Sequence, residues 1–232
     1  MKKAVLLLLA CLVTTLLSGA VSGQVDLVSR FIWRGFDLLP ENHPAVQPAI
    51  SIDLGESGFC LDIWSSFALT DRAELRESDE IDLTVSYTWK PAAGWEASAG
   101  LIGYGYGFAR DFSLKEDTSL EVYASLAATG LLGVPTLAVY YDCKLGQGFY
   151  ASLSASHEFE LNETVRVELG GLIGFNGHQY IERAGFSNID LFVRMPLAVG
   201  RMMLVPSLNV MVPLLAEVNE DNEIWFGLTL EI

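Results

Sequence analysis

Three histidines, His43, His157 and His178, are the first side chains to test for catalytic chemistry. An imidazole that activates a serine must share a face with it, within hydrogen-bond reach. His157 lies in an alternating segment, so a serine on its face would stand two residues away, where the chain has Ala155 and Phe159. Ser156 is adjacent in sequence, but a period of two sends it to the opposite side. No pair of histidines has metal-ligand spacing, and no glycine-rich loop opens a helix that could cradle phosphate. The sequence therefore predicts no enzyme, no metal site and no cofactor. A lipid hydrolase built on His157 is the disfavoured alternative.

A second set of residues carries charge rather than catalysis. In residues 79–90, Ile81, Leu83, Val85, Tyr87 and Trp89 fall on one face, while Glu80, Asp82, Thr84, Ser86, Thr88 and Lys90 fall on the other. The same parity places Arg30, Arg34, Asp62, Trp64, Glu80, Asp82, Arg166, Glu168, Asp190 and Arg194 on polar faces, and these are the candidate lumen-lining residues. Acids, Glu121 among them, outnumber bases on that face. If the face encloses water, it describes an acidic channel for cations or small neutral solutes, with arginines opposing carboxylates at a constriction. If those charges neutralise one another, they fill the lumen and nothing passes. Tyr123, Tyr140 and Phe192 also point inward and could fill the space or bind a ring. Both readings stay open at this point.

The elements that must position these residues are about twelve alternating segments, expected near 24–35, 45–54, 59–70, 79–90, 95–106, 119–129, 135–143, 149–161, 165–176, 187–198, 202–212 and 223–232. Most have the length of a strand that crosses a bilayer at a barrel's tilt. Short turns such as Gly55-Glu56-Ser57-Gly58 and Pro91-Ala92-Ala93-Gly94 alternate with longer charged loops: 36–44, 71–78, 107–118, 177–186 and 213–222, with 144–148 the shortest of the set. Outer-membrane barrels have that asymmetry, with short periplasmic turns and longer outer loops. The expected fold is all-β: a closed, antiparallel, up-and-down transmembrane barrel in the bacterial outer membrane, with both termini periplasmic. A soluble barrel would also alternate, with its apolar face inward. Against it, twelve strands at about 4.8 Å spacing enclose roughly 24 Å, wider than apolar side chains fill. Aromatic residues also gather at strand ends: Trp89, Trp95 and Phe159 at one side, and Phe31, Trp33, Tyr141, Phe149, Phe175 and Phe226 at the other, as in the belts of membrane barrels.

The N-terminus carries an export signal. Lys2 and Lys3 precede an apolar run from Ala4 to Leu17, and small-residue cleavage sites follow at Ser18-Gly19-Ala20 and Val21-Ser22-Gly23. Residues 1–23 are read as a signal peptide and residues 24–232 as the barrel. A net charge of −15 argues against a nucleic-acid partner. Cys60 and Cys143 are expected to be free thiols with no chemical role, lying too far apart for a disulfide. The expected partners are outer-membrane lipid, a small polar solute and the barrel assembly machinery. The last would be engaged through residues 223–232, whose alternation Ile224, Phe226, Leu228, Leu230, Ile232 runs to the end of the chain without the usual final aromatic.

The N-terminal third resembles a known family. Ser29-Arg30-Phe31-Ile32-Trp33-Arg34-Gly35, Asn42, Pro44-Ala45-Val46-Gln47-Pro48, Ser57-Gly58-Phe59, Trp64-Ser65-Ser66 and Glu80-Ile81-Asp82-Leu83 resemble, in order and spacing over roughly 24–90, the TorF-type porins of proteobacteria. Where that family carries a Gly-Thr-Trp-Ala-Ser-like segment, this chain has Leu61-Asp62-Ile63-Trp64-Ser65-Ser66. The resemblance implies an outer-membrane barrel and supplies neither a substrate nor catalytic residues. It makes Arg30, Arg34, Asp62, Trp64 and Asp82 the preferred channel-lining positions.

Overall fold

The computed structural model describes residues 19–106, 118–162 and 165–232. Most of the expected export signal and most of the expected loop 107–118 lie outside those residues. The barrel strands are β1 (Val21–Val28), β4 (Ala45–Asp53), β5 (Phe59–Ala68), β6 (Glu80–Ala92), β7 (Trp95–Tyr106), β8 (Thr118–Ala127), β9 (Thr136–Asp142), β10 (Phe149–Glu160), β11 (Arg166–Gly177), β12 (Gly185–Arg194), β14 (Met202–Pro213) and β15 (Glu223–Glu231). Each pairs antiparallel with its neighbours in sequence. The β1–β15 ladder, from Gln24↔Glu231 to Val28↔Gly227, and the β12–β14 ladder close the ring. Closure leaves no long unpaired edge among these strands, which answers the aggregation hazard of a wide sheet. A short β13 (Leu197–Val199) continues the line of β12 past Met195-Pro196 and pairs with β14. The expected strand 187–198 is therefore two pieces, broken where a proline interrupts the ladder.

The apolar face points outward. Leu83, Val85, Leu101, Leu120, Val122, Leu137, Val139, Leu153, Leu169, Leu191, Leu208 and Phe226 are exposed, while Glu80, Ser86, Ser119, Glu121, Asp142, Asn176 and Asn188 are buried. That is the reverse of a soluble barrel. No described helix is long and apolar enough to cross a membrane. The strands present the apolar band instead. Trp89, Trp95 and Phe159 lie exposed at the short-turn end, and Tyr141, Phe149, Phe186 and Phe226 toward the loop end.

The first strand departs from expectation. It ends at Val28, not near residue 35. Beyond it, β2 (Ile32–Trp33) and β3 (Phe36–Asp37) form a two-stranded hairpin of their own, with Ile32↔Asp37 and Trp33↔Phe36 paired. Phe31 and Trp33 are accordingly not belt residues. Phe31 is buried against Trp64, with ring centroids 5.5 Å apart, in a cluster with Leu39, Ala45 and Ala68. The tip Arg34-Gly35 has positive φ at both residues, 52° and 91°, as a two-residue type I′ turn demands. Glycine is required at 35 twice over: a Cβ there would also stand 2.7 Å from Val218 Cγ1 and 3.1 Å from Asn188 Cβ.

The orientation of the two faces gives a direct prediction. Leu83 faces outward at mid-ladder, opposite Ile63 and Gly103. Leu83→Arg should lower folding stability in a bilayer by about 2–4 kcal/mol. Thr84→Arg, one residue along and facing the lumen, should cost far less. Denaturant titration of refolded barrels in lipid vesicles measures both.

Candidate functional site

The hairpin folds into the barrel, and its tip reaches the wall opposite β1. The Arg34 guanidinium donates from Nη1 to Glu121 Oε2 at 2.7 Å and from Nη2 to Glu121 Oε1 at 2.8 Å, a bidentate pair. Nη1 also donates to Gln179 Oε1 at 2.8 Å. Around the cation stand three rings, with Cζ lying 4.4 Å from the Trp33 centroid, 4.2 Å from Tyr140 and 4.9 Å from Tyr150. The pair is almost fully enclosed, at 9% side-chain exposure for Arg34 and 0% for Glu121. Burial alone would pull the arginine pKa down. The hydrogen bonds and charge of Glu121 outweigh it, and the net direction is upward.

Glu121 is satisfied by more than arginine. Tyr104 Oη donates to Oε1 at 2.9 Å and Gln179 Nε2 to Oε2 at 2.8 Å. Gln179 is in turn fixed by Asn176, whose Oδ1 accepts from its backbone N–H at 2.7 Å. Strands β7, β8, β9 and β10 and the loop after β11 thus converge on one hairpin tip. A second arginine secures the hairpin's stem: Arg30 donates to Glu223 on β15 and to Asn42, and lies 3.6 Å from Asp37. Burial raises the Asp37 pKa, against the backbone N–H of Leu39. At the same end, Tyr180 Oη donates to Asp142 at 2.8 Å, and burial pushes its pKa up to about 12. Arg72 makes a two-point pair with Asp79, at 2.7 Å for the Nη2–Oδ2 contact.

The remaining candidates distribute along the lumen. Arg34 and Arg30 face the interior from the inserted hairpin rather than from a straight strand, which corrects their expected setting. Trp64 packs on Phe31. Asp62 accepts from Ser51 Oγ and Cys60 Sγ. Asp190 accepts from Asn188 Nδ2 at 3.0 Å. Toward the short-turn end, Glu168 stands opposite Arg194 in the β11–β12 ladder, 3.6 Å apart, with the guanidinium over Phe192. Arg166 pairs with Glu158 at 3.2 Å. Glu80 and Asp82 lie on the inner face of β6 within reach of each other, and Asp82 Oδ1 is buried without a hydrogen-bond partner. His157 packs edge-on against Phe159 on the outer face.

Sequence reasoning missed Gln179, Tyr104, Tyr150 and Asn188 as parts of this site. The available signal was the loss of alternation after Val28, where Ser29 takes an outward position and Ile32 an inward one.

Comparison with known proteins is informative on family and fold. A family described as bacterial proteins of unknown function, Gcw_chp, matches residues 17–186. The chain belongs to that family. No curated protein sequence matches it. Among solved structures, the Gcw_chp chain is similar to the NanC porin, with TM-score 0.57 and 10% identity over 91% of this chain and 98% of that one. It is also similar to the KdgM porin, with TM-score 0.58 and 10% identity over 90% and 97%. A structure of KdgM with disordered oligogalacturonate gives 0.55, again at 10% identity, over 91% and 96%. At that identity the likeness establishes the fold, that of an outer-membrane porin barrel.

Removing one member of a buried ion pair strands the other. Glu121→Ala should destabilise the barrel by about 3–5 kcal/mol, and the Arg34→Ala, Glu121→Ala double variant by clearly less than the sum of the two single changes. A double-mutant cycle by denaturant titration in micelles checks the coupling.

Proposed function

We propose that this protein is a porin-like channel of the bacterial outer membrane, passing small polar solutes and favouring cations, with its outer mouth narrowed by the 29–44 hairpin. The observation that carries this reading is a set of lumen carboxylates held by neutral groups. Asp26 accepts from Gln24 and Thr229, Asp62 from Ser51 and Cys60, and Asp190 from Asn188. Hydroxyls and amides orient a carboxylate without cancelling its charge. An acidic wall in a low-dielectric shell concentrates cations and repels anions. A cavity of about 250 Å³ lined by Thr136, Ser154, Ser156, Glu168, Asp190, Phe192 and Arg194, among others, supports a wetted interior on the short-turn side.

The porin fold supports the outer-membrane assignment, and the resemblance of residues 24–90 to TorF-type porins points the same way. In this reading the long loops face outward, both termini are periplasmic, and β15 is the segment offered to the assembly machinery. The hairpin itself favours a second reading, a non-conducting barrel that serves as a structural or surface-binding protein, because its tip is bonded to the far wall.

Planar-bilayer recordings separate the two. The channel reading expects small discrete steps with a cation-favouring reversal potential, and larger steps once residues 31–41 are replaced by a short flexible linker. Silence from the folded native barrel, with conduction appearing after that replacement, would establish the plug instead.

A further inference from the structure

At the loop end, the inserted hairpin and the wall border an open cavity of about 370 Å³ lined by Trp33, Phe36, Leu38, Glu80, Tyr106 and Tyr180. We propose that it is a recognition site for an organic ammonium cation, with the aromatic faces of Trp33, Phe36, Tyr106 and Tyr180 around the alkyl groups and the Glu80 carboxyl beneath them.

The cavity's wall is aromatic on several sides. Phe36 stacks beside Trp33 at 6.3 Å, and Tyr180 meets Trp33 edge-on at 6.2 Å. Tyr104 stacks beneath Tyr106 at 6.3 Å. A desolvated cation against such faces gains from each ring quadrupole, which is the physics of quaternary-ammonium cages.

The charge balance selects a cation over a neutral guest. Glu80 is 6% exposed, and it adjoins Asp82, whose Oδ1 has no hydrogen-bond partner. The described bases nearby are committed elsewhere: Arg72 to Asp79, Arg34 to Glu121 and Arg30 to Glu223. Glu80 and Asp82 share a hydrogen bond, which takes one proton between them, and the negative charge that remains on the pair has no described base to answer it; a bound cation supplies that answer. A hard metal ion is the wrong guest, because it wants six or more oxygen ligands and this wall offers one carboxyl and two phenol hydroxyls among rings and an aliphatic side chain. No described cluster of His, Cys, Asp and Glu could hold a metal.

The site does not depend on conduction. Only its role in selecting what enters the lumen rests on the channel reading. Calorimetric titration of the full barrel in micelles, at constant ionic strength, tests it with choline, tetramethylammonium and 3,3-dimethylbutanol, the neutral isostere of choline. Saturable choline binding is expected, with the isostere weaker by about tenfold or more, and a similar loss in Glu80→Gln and in Tyr106→Leu. Both variants are first checked for the heat-modifiable mobility of a closed barrel. Equal binding of choline and its isostere would overturn the proposal in favour of a plain apolar pocket. Absence of choline binding by the folded native barrel, or unchanged binding in Glu80→Gln, would also overturn it. Because none of these readouts is a current, a silent channel would leave the binding result intact.

Discussion

A charge buried inside a barrel has to be answered on the spot, and in this protein the Arg34–Glu121 pair is where that demand falls hardest. The arginine arrives on a segment that leaves the wall after Val28, and the glutamate waits on β8, across the lumen. Two parallel hydrogen bonds, a glutamine, a tyrosine and three ring faces replace the water each ion gives up. A buried pair of this kind contributes little net stability compared with apolar packing. Its value lies in the penalty for any arrangement that separates its members. That penalty fixes where the hairpin sits, and the hairpin fixes the shape of the mouth.

The rest of the lumen follows from how its charges are divided. Near the loop end, each of three arginines is held by acids: Arg30 by Glu223 and Asp37, Arg34 by Glu121 and Arg72 by Asp79. Near the short-turn end, Arg166 and Arg194 are matched with Glu158 and Glu168 at more exposed, weaker contacts. Between these tiers the carboxylates Asp26, Asp62 and Asp190 have, among the described residues, hydrogen-bond partners that are neutral. Ion pairs thus gather at the loop end. On the channel reading proposed above, that division makes a path narrow at the mouth and attractive to positive charge within.

Much of this was legible in the chain. Period-two alternation set the positions of the strands after the first within a few residues, because the two sides of a barrel wall impose unlike demands on successive side chains. Parity placed Asp62, Glu80, Asp82, Glu168 and Arg194 on the inner face. The hairpin was only faintly legible. Ser29 and Ile32 break the alternation of β1, but Arg30, Phe31, Trp33 and Arg34 keep to it, and Arg-Gly is a weaker turn signal than Asn-Gly. What draws the segment inward is a partner 87 residues away at Glu121 and another 145 away at Gln179. No local pattern encodes contacts at such separations. The same long range hid the aromatic cavity, whose rings come from the hairpin, β7 and the loop after β11.

The seating of the hairpin is best tested by nuclear magnetic resonance of the micelle-embedded barrel. The rings of Trp33, Tyr140 and Tyr150 should shift the Arg34 side-chain protons strongly upfield. Overhauser contacts from Arg34 to both tyrosine rings should be present. Arg34 resonances at solvent-exposed positions, without contact to either tyrosine, would contradict the account by showing a hairpin that does not occupy the lumen.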